Sequence, residues 1–338
     1  MKYTPFGKTG FNVSLVGFGG IPIQRGSAED AAKALYASRD NGINYIDTAR
    51  GYSVSEEFIG NALGDLRKDF FLATKAPSAG YAKMKADIEI SLKNLKTDRI
   101  DLYQLHNVKT VSDLISAFGE DGSMRALREA KAAGKIRFIG ITSHIKEVLL
   151  YAIENYPDEF ASVMYPYNIV ETEGIDMFKK AKAAGMGTLA MKPMGGGNLD
   201  DAKLALRFIA NNPDIDVALV GIGDAKEAKE DSEIDLSPLT DEEIKKCAET
   251  RLRLGTEFCR RCGYCAPCTV GIDIPTMFTF RNYLKNYDLA EWAKDRYDAM
   301  AVKADACIKC GVCETRCPYN LRIREKLAEV AKDFADAR

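Results

Sequence analysis

The run Cys307-Ile-Lys-Cys-Gly-Val-Cys-Glu-Thr-Arg-Cys-Pro318 decides the fold of the C-terminal part of this 338-residue chain. Its spacing, C-x2-C-x2-C-x3-C-P, is a bacterial pattern for holding a cubane 4Fe-4S cluster. An earlier run contains Cys259, Cys262, Cys265 and Cys268. That run is one residue shorter between its third and fourth cysteines, and Pro267 precedes the fourth cysteine instead of following it. The two runs together predict two 4Fe-4S clusters.

Zinc and disulfide bonds are the other common uses of clustered cysteines. Disulfides need an oxidising compartment, and the residues after Met1 do not form a basic segment followed by an apolar one, as a secretion signal would. Zinc sites usually combine two C-x2-C pairs that lie well apart, whereas three cysteines in one loop fit three corners of a cube. The sequence therefore favours iron-sulfur clusters. Cys247 lies outside both runs and is interpreted as a small buried hydrophobic residue.

The expected ligand sets cross between the two runs. In proteins with two such clusters, the fourth cysteine of each run ligates the other cluster. The predicted sets are Cys259, Cys262, Cys265 with Cys317, and Cys307, Cys310, Cys313 with Cys268. The shorter spacing of the first run leaves the assignment of Cys268 open.

Length, composition and charge limit the possible classes of protein. A chain of this length with 46% hydrophobic residues can bury more than one core, so we expect two domains, residues 1–254 and 255–338. The net charge of -2 provides no basic field for nucleic acid or an anionic membrane, and no apolar stretch approaches the length of a membrane span. We expect a cytoplasmic protein.

Short β-branched segments alternate with helix-period segments before the first cysteine run. The candidate strands are 13–17, 44–47, 70–74, 100–104, 136–141, 161–164, 187–191 and 217–220. Helical periodicity is clearest in 28–40, 84–95, 123–133 and 175–184. Eight such alternations predict a (β/α)8 TIM barrel. The alternative, an open doubly wound sheet, requires G-x-G-x-x-G after its first strand, and the segment beginning at Gly17 lacks the third glycine.

Four polar residues follow or end consecutive candidate strands, where a barrel of this kind has its active site. They are Asp47, Tyr52, Lys75 and His106. A lysine cation beside a tyrosine favours the phenolate and so eases proton donation, and a carboxylate keeps that lysine charged. A histidine can donate a hydrogen bond that orients a carbonyl group. Each residue alone has a structural interpretation, but together they predict a catalytic group.

Several segments resemble the aldo-keto reductase superfamily. They are Phe6-Gly7-Lys8-Thr9-Gly10, Tyr45-Ile46-Asp47-Thr48-Ala49-Arg50-Gly51-Tyr52, Ser55-Glu56, Ala73-Thr74-Lys75 and Asp101-Leu102-Tyr103-Gln104-Leu105-His106. The resemblance implies a barrel enzyme that reduces carbonyl groups with a nicotinamide cofactor and with Tyr52 as proton donor. The cysteine-rich tail resembles a dicluster ferredoxin module. A helix start at Asp273-Ile274-Pro275 and a helical pattern over 322–337 predict that this module is α-helical.

The resemblance also locates the cofactor contacts. In relatives that prefer NADPH, an arginine after the eighth strand helps to bind the 2'-phosphate, and Glu227 stands in its place here. A carboxylate repels a phosphate dianion but can accept a hydrogen bond from a ribose hydroxyl, which favours NADH over NADPH. At the nicotinamide end, Met164 stands where a glutamine is expected. The predicted contacts are Thr142, Ser143, Met191, Gly221, Gly223, Glu227, Glu230 and Asp231.

The clusters raise a question of electron number. Nicotinamide delivers two electrons as hydride, whereas a cluster passes one at a time, and a flavin can connect the two modes. FMN in the barrel mouth is therefore an alternative cofactor, although the sequence contains no recognisable flavin motif.

Three classes of function remain compatible with the sequence. The first is a reductase of a small carbonyl or conjugated substrate whose clusters exchange electrons with a redox partner protein. The second is an NADH-dependent carbonyl reductase with structural clusters. The third is a redox sensor or electron-transfer subunit without catalysis.

Overall fold

The computed structural model describes residues 1–199, 201–255, 258, 259, 261, 263, 265–286, 289–317 and 319–337. The predicted cluster ligand Cys262 lies outside the described residues. Contacts divide the chain into two compact units, the first formed by 1–193 and 202–240 and the second by 194–201 and 241–338.

The first unit is a closed barrel of eight parallel strands. A short antiparallel hairpin precedes it, formed by β1 (Tyr3–Pro5) and β2 (Asn12–Ser14). The barrel strands are β3 (Val16–Gly19), β4 (Tyr45–Asp47), β5 (Phe71–Ala76), β6 (Ile100–Leu105), β7 (Ile136–Thr142), β8 (Ser162–Pro166), β9 (Gly187–Met191) and β10 (Val217–Gly221). The predicted (β/α)8 barrel is thereby confirmed.

The first predicted strand, 13–17, is wrong, because the structure divides it at Leu15. The amide of Leu15 donates to the carbonyl of Lys2 (2.9 Å), whereas its carbonyl accepts from the amide of Ala218 (2.6 Å). The chain therefore changes partner at this residue, from the hairpin to the barrel.

Nine α-helices of the first unit alternate with or follow these strands. They are α1 (Ala28–Asp40), α2 (Ser55–Leu63), α3 (Tyr81–Asn94), α4 (Val111–Ala117), α5 (Ser123–Ala132), α6 (Lys146–Asn155), α7 (Ile175–Ala183), α8 (Ala202–Ala210) and α9 (Ala225–Ser232). Helix α1 begins with a capping box in which Ser27 and Asp30 satisfy each other's backbone amides, which explains its sharp start.

Aromatic side chains fill the amino-terminal end of the barrel. The rings of Tyr45 and Phe71, the first residues of β4 and β5, stack with centroids 5.5 Å apart, and Phe6 packs edge-on against both. All three side chains are buried. The interior at the opposite end is left to the polar residues at the carboxyl ends of the strands.

The second unit is helical, as predicted for the C-terminal region. Its helices are α10 (Asp241–Leu254), α11 (Ile274–Asn286), α12 (Ala290–Asp298), α13 (Val312–Thr315) and α14 (Ile323–Asp336). Buried side chains of α11, α12 and α14, including Met277, Tyr297 and Val330, form one core. The observed division differs from the predicted boundary at 254, because contacts assign α10 and the loop 194–201 to this unit. Among the described residues, no helix is both long and apolar enough to cross a membrane.

Candidate functional site

Asp47 and Lys75 form a buried ion pair at the carboxyl ends of β4 and β5. The Lys75 ammonium donates to both oxygens of the Asp47 carboxylate, at 2.9 Å for Oδ2, and to the carbonyl oxygen of Thr48 at 2.9 Å. Both side chains are almost completely buried. Burial on its own would lower the pKa of Lys75, but Asp47 and the Tyr52 hydroxyl outweigh it and raise that pKa. The lysine therefore remains a cation.

Tyr52 lies directly beside this cation. The Lys75 Nζ atom is 4.7 Å from the centroid of the Tyr52 ring. We expected the cation to lower the pKa of Tyr52, but this expectation is wrong for the net shift. Burial raises that pKa and outweighs the opposing effect of Lys75. The phenol therefore holds its proton throughout the neutral pH range.

His106 completes the group from the end of β6. Its ring is perpendicular to that of Tyr52, with centroids 6.0 Å apart. Burial, and then the charge of Lys75, lower the pKa of His106 to about 3. The imidazole is therefore neutral near pH 7, and it can donate a hydrogen bond through one ring nitrogen without acting as the acid. The structure brings all four predicted residues into one cluster.

A buried carboxylate that we did not predict as a site residue holds the loop carrying Tyr52. Glu56 is 1% exposed and pairs with Arg50 at 2.5 Å, while Thr74 and Ser91 donate to its other oxygen at 2.8 and 2.7 Å. The amide of Arg50 donates to the carbonyl of Lys75 at 2.9 Å. This network ties the start of α2 to β5 and thus limits the positions open to Tyr52. A glutamate in the first turn of a helix gave no signal that it would be buried.

Gln104 is a second residue that sequence reasoning did not assign. Its Nε2 atom donates to Oδ2 of Asp47 at 3.3 Å, and its side chain is fully buried. In the described part of the chain, its Oε1 atom and the hydroxyl of Ser162 have no hydrogen-bond partner. A Cβ atom on Gly140 would lie 2.5 Å from the Ser162 hydroxyl and 3.0 Å from Cγ of Gln104, so a glycine is needed between them. The available signal was an amide within the otherwise mostly apolar strand β6.

The two predicted hydroxyl contacts after β7 already hold backbone groups. Thr142 Oγ1 accepts from the amide of Asn107 at 2.8 Å. Ser143 Oγ donates to the carbonyl of Val108 at 2.6 Å and accepts from the amide of Ile145 at 2.9 Å. These bonds connect the loops after β6 and β7. Met164 is buried within β8, and Met191 is half-buried at the end of β9.

His144, the second of the two histidines of the chain, lies beside these loops and was not predicted. Its Nδ1 atom is 2.9 Å from Oδ1 of Asn107. Burial, followed by the charges of Lys192 and His106, lowers its pKa well below the ordinary value. Two neutral imidazoles therefore stand near the barrel mouth.

The predicted phosphate side of the cofactor site has an acidic wall. The amide of Gly223, after β10, donates to Oε2 of Glu227 at 2.6 Å, and the amide of Glu227 donates to Asp224 at 2.8 Å. Burial, and then the charges of Glu227 and Glu230, raise the pKa of Asp231 to about 7. The Glu227 carboxylate thus accepts from a backbone N–H group of the kind that binds phosphates in other proteins. Gly221 ends β10 and is exposed.

The described residues around the second cysteine of each run have matching backbone angles. Arg261 and Lys309, which precede the second cysteine of each run, both have φ of 57°, in the left-handed region. The glycines after those cysteines, Gly263 and Gly311, have φ of 84° and 79°. The carbonyls of these two glycines accept from the amides three residues later at 3.0 and 2.9 Å. These described residues of the first run therefore repeat the turn found in the second run.

The repeat resumes at the fourth cysteine of each run. The carbonyl of Cys268 accepts from the amide of Gly271 at 3.0 Å, and that of Cys317 accepts from the amide of Asn320 at 3.2 Å. Helices α11 and α14 begin at equivalent distances after these turns. The difference of one residue in length between the two runs therefore lies between their third and fourth cysteines.

One cavity of the second unit brings together the four cysteines of a predicted crossed set. Its wall contains Cys268, Cys307, Cys310 and Cys313. The hydroxyl of Thr269 lies 3.4 Å from the sulfur of Cys310. Within the described residues, no three metal-binding side chains already meet at a single point. The shared cavity, the repeated turns and the thiol chemistry nevertheless fit a cubane cluster and support Cys268 as its fourth ligand.

A parallel barrel with an aspartate-lysine pair, a tyrosine and a histidine at the carboxyl ends of its strands defines a class of barrel oxidoreductases. Residues 15–204 match the profile of the Aldo/keto reductase family, and residues 258–322 match that of the 4Fe-4S dicluster domain. The chain belongs to the aldo/keto reductase family and carries a 4Fe-4S dicluster domain. The predicted family, barrel and cluster domain are confirmed.

Named relatives and solved structures agree with this assignment. L-galactose dehydrogenase from Arabidopsis thaliana is 26% identical over 66% of this chain and 85% of its own length. The 6-dehydroglucose reductase of Novosphingobium aromaticivorans is 29% identical over 60% of this chain and 72% of its own. The holo form of aldo-keto reductase AKR11C1 from Bacillus halodurans has a TM-score of 0.65 and 26% identity, over 74% of this chain and 96% of its own. The protein is an oxidoreductase.

Proposed function

We propose that this protein reduces the carbonyl or conjugated group of a small molecule, with Tyr52 as proton donor, and exchanges electrons through two 4Fe-4S clusters. The observation that supports the chemistry is the buried Asp47–Lys75 pair in contact with Tyr52. A reductase of this type must supply a proton to an oxygen that becomes negative as hydride arrives at carbon. This site holds a proton donor, a cation and a neutral hydrogen-bond donor at one place.

Each side chain has a distinct part in the proposed reaction. Tyr52 carries the proton on its phenol oxygen until the substrate oxygen takes it. Lys75 stabilises the phenolate that remains, and Asp47 keeps Lys75 charged and in position. His106 donates its imidazole N–H to the substrate oxygen and so directs it toward Tyr52. A nicotinamide cofactor, when bound, supplies the hydride.

We propose NADH as that cofactor. Glu227 accepts from the amide of Gly223, and the charges of Glu227 and Glu230 both raise the pKa of Asp231. A 2'-phosphate at this loop would meet negative charge, whereas a ribose hydroxyl could donate to a carboxylate. The acidic wall therefore supports NADH over NADPH.

Reversing the charge at Glu227 should reverse this preference. In Glu227→Arg, we expect the affinity for NADPH to rise about tenfold or more relative to NADH, because a repulsion is replaced by a charged hydrogen bond. The measurement is equilibrium titration of both cofactors. Glu233→Arg, an identical charge change at the other end of α9, is the control and should leave the ratio unchanged. An unchanged ratio in Glu227→Arg would show that this loop does not contact the 2'-position.

The clusters support a role in electron transfer rather than only in stability. Cys310 is exposed, and the neighbouring Ile308 is 59% exposed, so one predicted cluster lies at the surface of the second unit. An exposed cluster ligand permits close approach of a redox partner protein. Reduced thiols and clusters suit a cytoplasmic location. Purely structural clusters would give the second candidate, an NADH-dependent carbonyl reductase.

An anaerobic absorption titration tests whether electrons from NADH reach the iron-sulfur clusters. The cluster-replete protein is titrated with NADH in the absence of any carbonyl substrate, while the visible iron-sulfur absorption is followed. We expect a small excess of NADH to bleach that absorption. Dithionite in a parallel sample defines complete reduction. Bleaching by dithionite alone would contradict electron transfer from NADH to the clusters. Turnover of a carbonyl panel, including sugar-derived carbonyls suggested by the two named relatives, tests the reductase activity separately.

A further inference from the structure

The second unit contains a polar cavity of about 330 Å³ that the proposed reaction does not use. This volume is within the range of about 300–1,000 Å³ common for small-molecule sites. Four cationic side chains line it, together with two aromatic rings, three neutral polar residues and one cluster cysteine. These residues are Arg261, Arg281, Lys285, Lys326, Phe258, Phe278, Asn198, Thr279, Asn282 and Cys259.

The wall of this cavity favours an anion. No acidic residue belongs to its described lining. Two carboxylates outside the lining pair with two of the cations: Asp333 contacts Arg281 at 2.6 Å and Lys285 at 2.9 Å, and Glu329 contacts Arg281 at 2.9 Å. These contacts hold Arg281 and Lys285 in place and offset part of their positive charge. Converging guanidinium and ammonium groups are typical of phosphate binding.

Arg261 is held in place by neutral groups. Its guanidinium donates to the carbonyl of Gly196 at 3.1 Å, and Asn282 donates to the same carbonyl at 2.9 Å. A Cβ atom on Gly196 would lie 3.6 Å from Nη2 of Arg261, and Gly195, Gly196 and Gly197 all have positive φ. The glycine run therefore forms a fixed turn for Arg261. Because this acceptor is a neutral carbonyl, the contact does not offset the positive charge of Arg261.

The cavity lies directly beside a predicted cluster ligand. The amide of Arg261 donates to the sulfur of Cys259 at 3.4 Å, and Cys259 itself lines the cavity. Cys265 and Cys317, two further members of the same predicted ligand set, do not line it. A ligand here would thus lie next to Cys259, one of the predicted ligands of the first cluster.

We propose that this cavity binds FMN, with the phosphate on the cationic wall and the isoalloxazine ring against Phe258 and Phe278. Phosphate charge and a flat ring match the two kinds of wall, and a flavin can exchange electrons with the clusters one at a time. One electron from each reduced cluster, with one proton from solvent, converts FMN to its anionic hydroquinone. In the reverse step the hydroquinone returns to FMN by losing one proton to solvent and two electrons, one to each oxidised cluster. This proposal rests on the proposed function for the electron transfer through the clusters.

FMN retention by the anaerobic, cluster-replete protein tests the site. We expect wild-type protein to carry about one FMN per chain through gel filtration. The double variant Lys285→Met/Lys326→Met should bind FMN about 100-fold more weakly, since each lost charged hydrogen bond is worth about tenfold. Lys332→Met, on the same helix as Lys326, is the control and should bind normally. Lys285→Arg/Lys326→Arg should recover binding if charge, rather than folding, is responsible.

Two results would overturn the proposal. One is the absence of FMN from the wild-type protein after gel filtration. The other is equal retention by the double methionine variant, which would place the flavin elsewhere, for instance in the barrel. Tyr52→Phe protein should retain FMN fully, so failure of carbonyl reduction and failure of FMN binding are separate results.

Discussion

Replacing Tyr52 with phenylalanine should lower kcat for carbonyl reduction roughly 100- to 10,000-fold, the usual range for removal of a general acid. Phenylalanine keeps the ring against Lys75 but removes the proton that the substrate oxygen needs. Steady-state kinetics with NADH and a reducible carbonyl would measure the loss. KM should change far less than kcat, because the hydroxyl acts mainly in the transition state.

The control for this variant is Tyr36→Phe, on an exposed position of α1, which should leave kcat unchanged. The pH dependence gives an independent check. Since the pKa of Tyr52 is raised, kcat should stay level through neutral pH and decline only on the alkaline side of the ordinary tyrosine value. Full activity of Tyr52→Phe would assign the proton donor to another group and refute the proposed role.

Replacing Cys268 with serine should remove or strongly perturb one cluster, with loss of about half of the bound iron. Although Cys268 belongs to the first run, it lines one cavity with Cys307, Cys310 and Cys313. The affected cluster should therefore be the one held by the second run. Iron analysis and electron paramagnetic resonance of the dithionite-reduced protein would measure the change.

Two reference variants identify which cluster is affected. The spectrum of Cys268→Ser should match that of Cys310→Ser and differ from that of Cys259→Ser. Cys247→Ser is the control, because Cys247 is buried in α10 outside both runs. A match between Cys268→Ser and Cys259→Ser would mean that each run supplies all ligands of its own cluster, contrary to the crossed arrangement.

Several features of the protein could be derived from local sequence patterns. Seven of the eight predicted barrel strands coincide with observed strands to within about two residues, because each buried strand is a short apolar segment with its own flanking turns. The exception, 13–17, failed since two partners share that segment through Leu15. Asp47, Lys75 and His106 were predictable as neighbours because the carboxyl ends of barrel strands meet at one face.

Other features depend on atoms that are distant in sequence. The net rise in the pKa of Tyr52, the contact of Gln104 with Asp47, and the burial of Glu56 each depend on how completely other elements exclude water. The periodicity of a sequence does not indicate how completely water is excluded from a site. The same holds for the cavity that Cys268 shares with Cys307, Cys310 and Cys313, since it forms only when the two runs pack together.

The sequence by itself determined the family, the barrel, the two cysteine runs and the residues at the strand ends, because spacing and alternation are properties of neighbouring residues. Only the tertiary structure decided the protonation of Tyr52, the carboxylate that occupies the Gly223 amide, and the assignment of 194–201 to the second unit. These three features depend on burial and on contacts between residues, and both are determined only when segments distant in sequence pack together.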